Sequence, residues 1–107
     1  MNPRIEQIFQ FLKEDPNDSF MNYALALEYI KESDLDLAVS QLYKTIELDP
    51  NYVAAYYQLG KVYESTGQMI KASEAYLKGM NLTKNDTNRK TYFEFKEAYN
   101  LLVEEDN

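Results

Sequence analysis

Val53-Ala54-Ala55-Tyr56-Tyr57-Gln58-Leu59-Gly60-Lys61-Val62-Tyr63 is the stretch that decides how the rest of the chain is read. Tyr56, Leu59, Gly60 and Tyr63 stand three, four and seven residues apart, so in a helix they share one face. A residue without Cβ sits in the middle of that face. A mid-helix glycine costs about 1 kcal/mol relative to alanine, and its presence predicts a neighbouring helix that approaches closely.

On the carboxyl side, Ser65-Thr66-Gly67 breaks this helix (53 to 64), and a second one is expected from Met69 to Leu82. On the amino side, Asp49-Pro50-Asn51 ends a helix over 35–48 that carries Leu35, Ala38, Val39, Leu42 and Ile46. Proline drives the residue before it out of the α region, and Asp and Asn favour turns. Glu32-Ser33-Asp34 separates that helix from one over 20–31, capped by Asp18 or Ser19. Its two apolar sides carry Tyr23, Ala26, Leu27 and Ile30, and Asn22, Leu25 and Tyr29. Asp15-Pro16-Asn17 stops a first helix, 3 to 14, with Asn2 as cap, Pro3 in the first turn and Ile5, Ile8, Phe9 and Leu12 on one stripe. Past residue 82 a polar connection, Thr83 to Asn88, leads to a last helix over 89–104 with Tyr92, Phe95, Tyr99 and Leu102 aligned. The acidic end, Glu104-Glu105-Asp106-Asn107, is expected to fray.

The two Asp-Pro-Asn triplets punctuate the chain at a step of 34 (50 − 16). Sliding the chain by that step lays Tyr23 on Tyr57, Leu25 on Leu59, Tyr29 on Tyr63, Ala38 on Ala72 and Leu48 on Leu82, and small Ala26 on small Gly60. The matches fall on apolar and small positions, where duplicated packing demands similarity, while polar positions differ freely. That is the signature of an internal repeat of two helices.

Composition narrows the function. The chain of 107 residues has no Cys and no His, which removes thiolate chemistry, disulfides, and the commonest general base and metal ligand. Net charge is −7, so its field repels nucleic-acid phosphates and anionic lipid; neither nucleic acid nor a membrane is expected as partner. The amino terminus has no basic segment followed by an apolar run, and no apolar run approaches the ~20 residues that span a bilayer, so a cytoplasmic protein is expected. Ser19, Ser33, Ser40, Ser65 and Ser73 lack any His partner, and the carboxylates are scattered without calcium-loop spacing. No catalytic residue, metal site or cofactor is expected.

The period, with aromatic-x-x-Leu-Gly-x-x-Tyr followed by Ala-x-x-x-aromatic, resembles the tetratricopeptide repeat. Tyr56, Leu59, Gly60, Tyr63, Gly67, Ala72 and Tyr76 carry the likeness in the second repeat; Leu25, Ala26, Tyr29, Ala38, Leu42 and Pro50 carry it in the first. Departures fall at Asn22, Thr45, Gly79 and Lys84, and at Lys96, which occupies the glycine slot of the last helix. The resemblance implies an all-α fold: a right-handed α-solenoid of antiparallel helix pairs in one domain, 1–107. Two full repeats, 19–50 and 53–84, are flanked by an N-terminal helix (3–14) and a C-terminal capping helix (87–104). Stacking is required because a lone helical hairpin has too little apolar surface to fold.

The resemblance also implies a non-enzymatic protein–protein interaction module with a concave groove for a peptide or helix of a partner protein. The groove residues it assigns are Phe20, Tyr23, Leu27 and Ile30 from the first repeat, Tyr57 and Lys61 from the second, and Lys90 and Phe93 from the last helix. Some family members hold chaperone carboxy-terminal carboxylates with a Lys, Asn and Arg clamp. The positions corresponding to that clamp here are Tyr23, Leu27, Gln58, Lys90 and Glu94, of which only Lys90 agrees, so that ligand class is disfavoured. A homodimer through the groove and the C-terminal helix is the alternative expectation.

Overall fold

Capping chemistry sets the helix boundaries in the computed structural model, which describes residues 2–105. α1 spans Pro3–Glu14, α2 Ser19–Lys31, α3 Leu35–Leu48, α4 Val53–Ser65, α5 Met69–Thr83 and α6 Lys90–Glu105; among the described residues there is no strand. The fold is all-α and repeats a pair of helices, as expected. Asn2 and Asp18 cap α1 and α2, their side chains accepting from the backbone N–H of Arg4 (2.8 Å) and Met21 (2.9 Å). Asn88 accepts from the Lys90 N–H at 3.0 Å, which starts α6 one residue later than the expected 89. Asp106 and Asn107, the end of the expected frayed tail, lie outside the described residues.

The chain divides into two compact units, Met1–Ala55 and Tyr56–Asn107. In the first, Ile5 and Ile8 of α1 meet Leu25 of α2, with Leu12, Met21, Ala24 and Tyr29 packed around them, while Ala38 and Leu42 of α3 are fully buried. Phe9, placed by periodicity on the buried stripe of α1, is instead exposed, because Ile5, Ile8 and Leu12 make the contact with α2. Between these helices sits an ionic cluster. The buried Glu28 carboxylate faces the Arg4 Nε at 3.4 Å and the Lys31 Nζ at 3.7 Å, and accepts from the Asn2 amide at 3.1 Å. A buried charge is tolerated when it is paired and hydrogen-bonded, and this one ties α1 to α2.

The second unit is built on aromatic rings set against glycines. A Cβ on Gly60 of α4 would lie inside the van der Waals envelope of the Tyr76 ring of α5, and a Cβ on Gly79 of α5 inside that of the Phe95 ring of α6. Both rings are fully buried. The mid-helix Gly60 therefore marks the close approach its position predicts, and Gly79, a departure from the repeat pattern, marks a second one.

The inter-helix turns reproduce the 34-residue step in backbone geometry. Gly67 has φ +77° after α4, and Ser33, its counterpart 34 residues earlier, has φ +61° after α2. In each case the residue following donates its N–H five residues back, Gln68 to the Tyr63 carbonyl at 2.8 Å and Asp34 to the Tyr29 carbonyl at 2.9 Å. These left-handed residues close the helix ends and satisfy carbonyls that would otherwise lack partners.

Candidate functional site

The eight side chains expected to meet a partner are divided between the two units, four in each. On α2 the exposed Phe20 ring stands at the first turn, followed by half-buried Tyr23, Leu27 and Ile30 at helical spacings. Tyr23 packs on Tyr52, ring centroids 5.0 Å apart, so the strip is backed by the connection into α4 rather than standing loose. Burial is the first cause, and the neighbouring Tyr23, Asp18 and Asp49 further causes, that raise the Tyr52 phenol above its ordinary pKa.

Asn22, which replaces the expected aromatic, is buried and explains itself by its hydrogen bonds. Its amide donates to the carbonyls of Pro16 (3.1 Å) and Asp18 (2.8 Å), and its side-chain oxygen accepts from Gln41 of α3. One polar residue thus fastens the Asp-Pro-Asn turn, α2 and α3. Thr45, the other departure in the first repeat, is also buried and donates its hydroxyl to the Gln41 carbonyl at 3.0 Å.

In the second unit the assigned residues play unequal parts. Tyr57 is half-buried, with its ring 5.9 Å from Tyr76 and edge-on to Phe95 at 5.5 Å. Tyr57 stands three residues before Gly60, on the shoulder of the Gly60 face, and its ring is wide enough to reach the aromatic cluster from the side. Lys61 is exposed, with its ammonium 5.4 Å from the Tyr57 ring centre and 3.8 Å from the Glu64 carboxylate. Glu64 in turn accepts from the Tyr76 hydroxyl, a partner the sequence reading did not anticipate for that buried phenol. Burial first, then this hydrogen bond and the charge of Glu64, push the Tyr76 pKa far above the ordinary phenol range. On α6, Lys90 is exposed and Phe93 is 53% exposed; Phe93 is edge-on to Tyr92 at 5.4 Å, with the Arg89 guanidinium 5.5 Å from its centre.

The signal that would have found the Tyr76–Glu64 pair is the presence of an acidic residue at the end of the helix that Gly60 brings against Tyr76. Among the described residues no group of three or more carboxylates is placed to hold a metal ion, and no helix is long and apolar enough to cross a membrane. Chemically, the surface offers aromatic and aliphatic area rimmed by single charges.

A sequence profile described as "TPR repeat" matches residues 26–67, and one described as "Tetratricopeptide repeat" matches residues 53–86. Two curated relatives are the uncharacterized protein ycf37 of Porphyra purpurea and the chloroplastic tetratricopeptide repeat domain-containing protein PYG7 of Arabidopsis thaliana. The first is 34% identical over 66% of this chain and 41% of its own length, the second 32% identical over 70% and 25%. The chain thus spans less than half the length of either. A solution structure of a tetratricopeptide repeat domain protein from Salinibacter ruber is 33% identical, covers 82% of this chain and 89% of its own, and superposes with a TM-score of 0.75. The Yersinia enterocolitica type III secretion chaperone SycD, in complex with a peptide of the translocator YopD, superposes with a TM-score of 0.88 over 96% of this chain and 79% of its own. At 12% identity it shows a shared fold alone.

Proposed function

The chain belongs to the tetratricopeptide repeat family, and from that premise we propose that it is a non-enzymatic interaction module that binds an apolar or amphipathic segment of a partner protein. The observation that carries the reading is the set of large apolar side chains that packing leaves uncovered on the helices the family uses for binding: Phe20 is 63% and Phe93 53% exposed. The strip of Phe20, Tyr23, Leu27 and Ile30 takes apolar side chains of the partner. In the second unit, Tyr57 and Phe93 add aromatic area, and Lys61 and Lys90 attract acidic residues flanking the bound segment. A structural neighbour of the same fold holds a peptide of its partner, which supports a peptide or helix as ligand. The net charge of −7 supports a protein partner over nucleic acid or an anionic membrane surface.

Selection from a displayed random-peptide library on the immobilised chain tests the proposal. Enriched peptides should carry apolar residues at regular spacing, and should bind at least tenfold more weakly to Phe20→Ala/Leu27→Ala, with helicity unchanged by circular dichroism. Absence of enrichment, or full binding by the double variant, overturns it. Tyr57 is unsuited to this test, since its ring also packs on Tyr76 and Phe95.

A further inference from the structure

The face of α6 turned away from α5 is organised for something other than solvent. Phe95 and Leu102 are buried, and at 100° per residue they stand roughly 140–160° around the helix from Glu97. The opposite strip, centred on Glu97, carries Lys90, Phe93, Leu101 and Glu104. Phe93 and Leu101 are 53% and 54% exposed, and with Glu97 and Glu104 they border a surface depression of about 380 Å³. The Phe93 ring is steadied by Tyr92 and by the Arg89 guanidinium, so it is presented as a fixed knob.

The order of chemistry along this strip is self-complementary. Phe93 and Leu101 lie four residues to either side of Glu97, and Lys90 and Glu104 seven residues to either side. Two such helices crossed antiparallel about a two-fold axis at Glu97 set Phe93 of each against Leu101 of the other, and Lys90 of each against Glu104 of the other. Both contacts occur twice, as an isologous interface requires. A parallel pairing would instead set Lys90 on Lys90 and Glu104 on Glu104. At a rise of 1.5 Å per residue the two apolar residues of one strip are about 12 Å apart, which fits two neighbouring layers of a helix pair. One element opposes the arrangement: the two Glu97 carboxylates meet near the axis.

We propose that a second copy of this chain docks on the α6 strip, forming an antiparallel, two-fold dimer held by Phe93–Leu101 and Lys90–Glu104 contacts and kept weak by Glu97. A single helix face per chain buries less than the ~1,200 Å² of a stable complex, so the pairing is weak and shows itself at high chain concentration. Self-association thus responds to local concentration, as when two chains are brought together on a larger assembly. The pairing does not depend on the partner-binding proposal, but Lys90 and Phe93 belong to both surfaces, so a bound partner segment on the second unit and the dimer exclude each other.

Sedimentation equilibrium on the full chain from ~10 μM to ~1 mM, with no peptide present, tests the dimer directly. Glu97→Leu should tighten it at least tenfold. Lys90→Glu and Glu104→Lys should each weaken it at least fivefold, although they move the net charge in opposite directions, and an equimolar mixture of the two should regain wild-type association as a heterodimer. All three positions are exposed, and circular dichroism of each variant verifies that the fold is kept. A chain that stays monomeric at ~1 mM even as Glu97→Leu, or reversed variants that do not recover on mixing, would overturn the proposal.

Discussion

The two repeats solve one packing problem with opposite choices of size. At positions 34 residues apart, the first has Ala26 and Leu42, both fully buried, whereas the second sets Gly60 against the Tyr76 ring. Volume removed from one helix reappears on the other, so the summed side chains fill a comparable space. The exchange also changes chemistry: the tyrosine brings a hydroxyl that must be satisfied, and Glu64 satisfies it. A leucine at the equivalent position brings no such obligation. The second unit extends the device to Gly79 and Phe95, where the first has Thr45.

The comparison is broken most severely at Gly60. Gly60→Ala forces a methyl into the Tyr76 ring, and with no room for the ring to move, overpacking outweighs the better helix propensity of alanine. A net loss of about 2 kcal/mol is expected, read as a fall in the urea midpoint. Adding Tyr76→Leu to Gly60→Ala transplants the pair of the first repeat and should recover at least half of that loss. A double variant no better than Gly60→Ala would show that the two positions are not a compensating pair.

That pair also shows how far the sequence could be read. Repetition and helix limits were legible because proline, glycine and capping residues act locally, through the backbone of their own few neighbours. Gly60 was legible because a glycine in mid-helix costs stability without a close neighbour. The same reasoning applied to Gly79 would have found the second close approach, which comparison with the family pattern instead marked as a departure. Glu28 could not be found this way: its partners Arg4 and Asn2 come from another helix, and nothing in the local pattern separates a buried, paired carboxylate from a solvated one. The resemblance assigns Tyr57 to the groove, but a residue three positions from Gly60 also lies beside the packing face, and its ring is long enough to meet Phe95.

The hydroxyl that distinguishes Tyr76 from Leu42 gives the second unit its own response to alkali. Because burial and Glu64 raise the folded-state pKa of Tyr76, the folded chain holds this proton where the unfolded chain releases it. The contribution is therefore complete below the unfolded phenol value near pH ~10 and declines as pH rises above it. Tyr76→Phe should lose about 1 kcal/mol at neutral pH, the hydrogen bond being made to a partly exposed carboxylate, and should flatten the loss of stability between pH ~10 and ~11.5. Thermal melts across that range measure both; an unchanged alkaline slope would place the titration elsewhere.

The turns offer a gentler contrast, since Gly67 and Ser33 share a left-handed backbone and differ in a hydroxymethyl group. Gly67→Ala adds a methyl that meets nothing within 4 Å, so its cost, about 1 kcal/mol, is the backbone penalty alone. Ser33 already bears that penalty in the first unit, and its exposed side chain makes no compensating buried contact. Ser33→Gly should relieve it. The gain is partly offset because glycine also widens the unfolded ensemble, leaving about 0.5 kcal/mol of added stability and a rise in Tm of a few degrees. If Ser33→Gly instead destabilises the chain while Gly67→Ala behaves as expected, the two turns are equivalent in geometry but not in energy, and the serine hydroxyl must contribute to closing the end of α2.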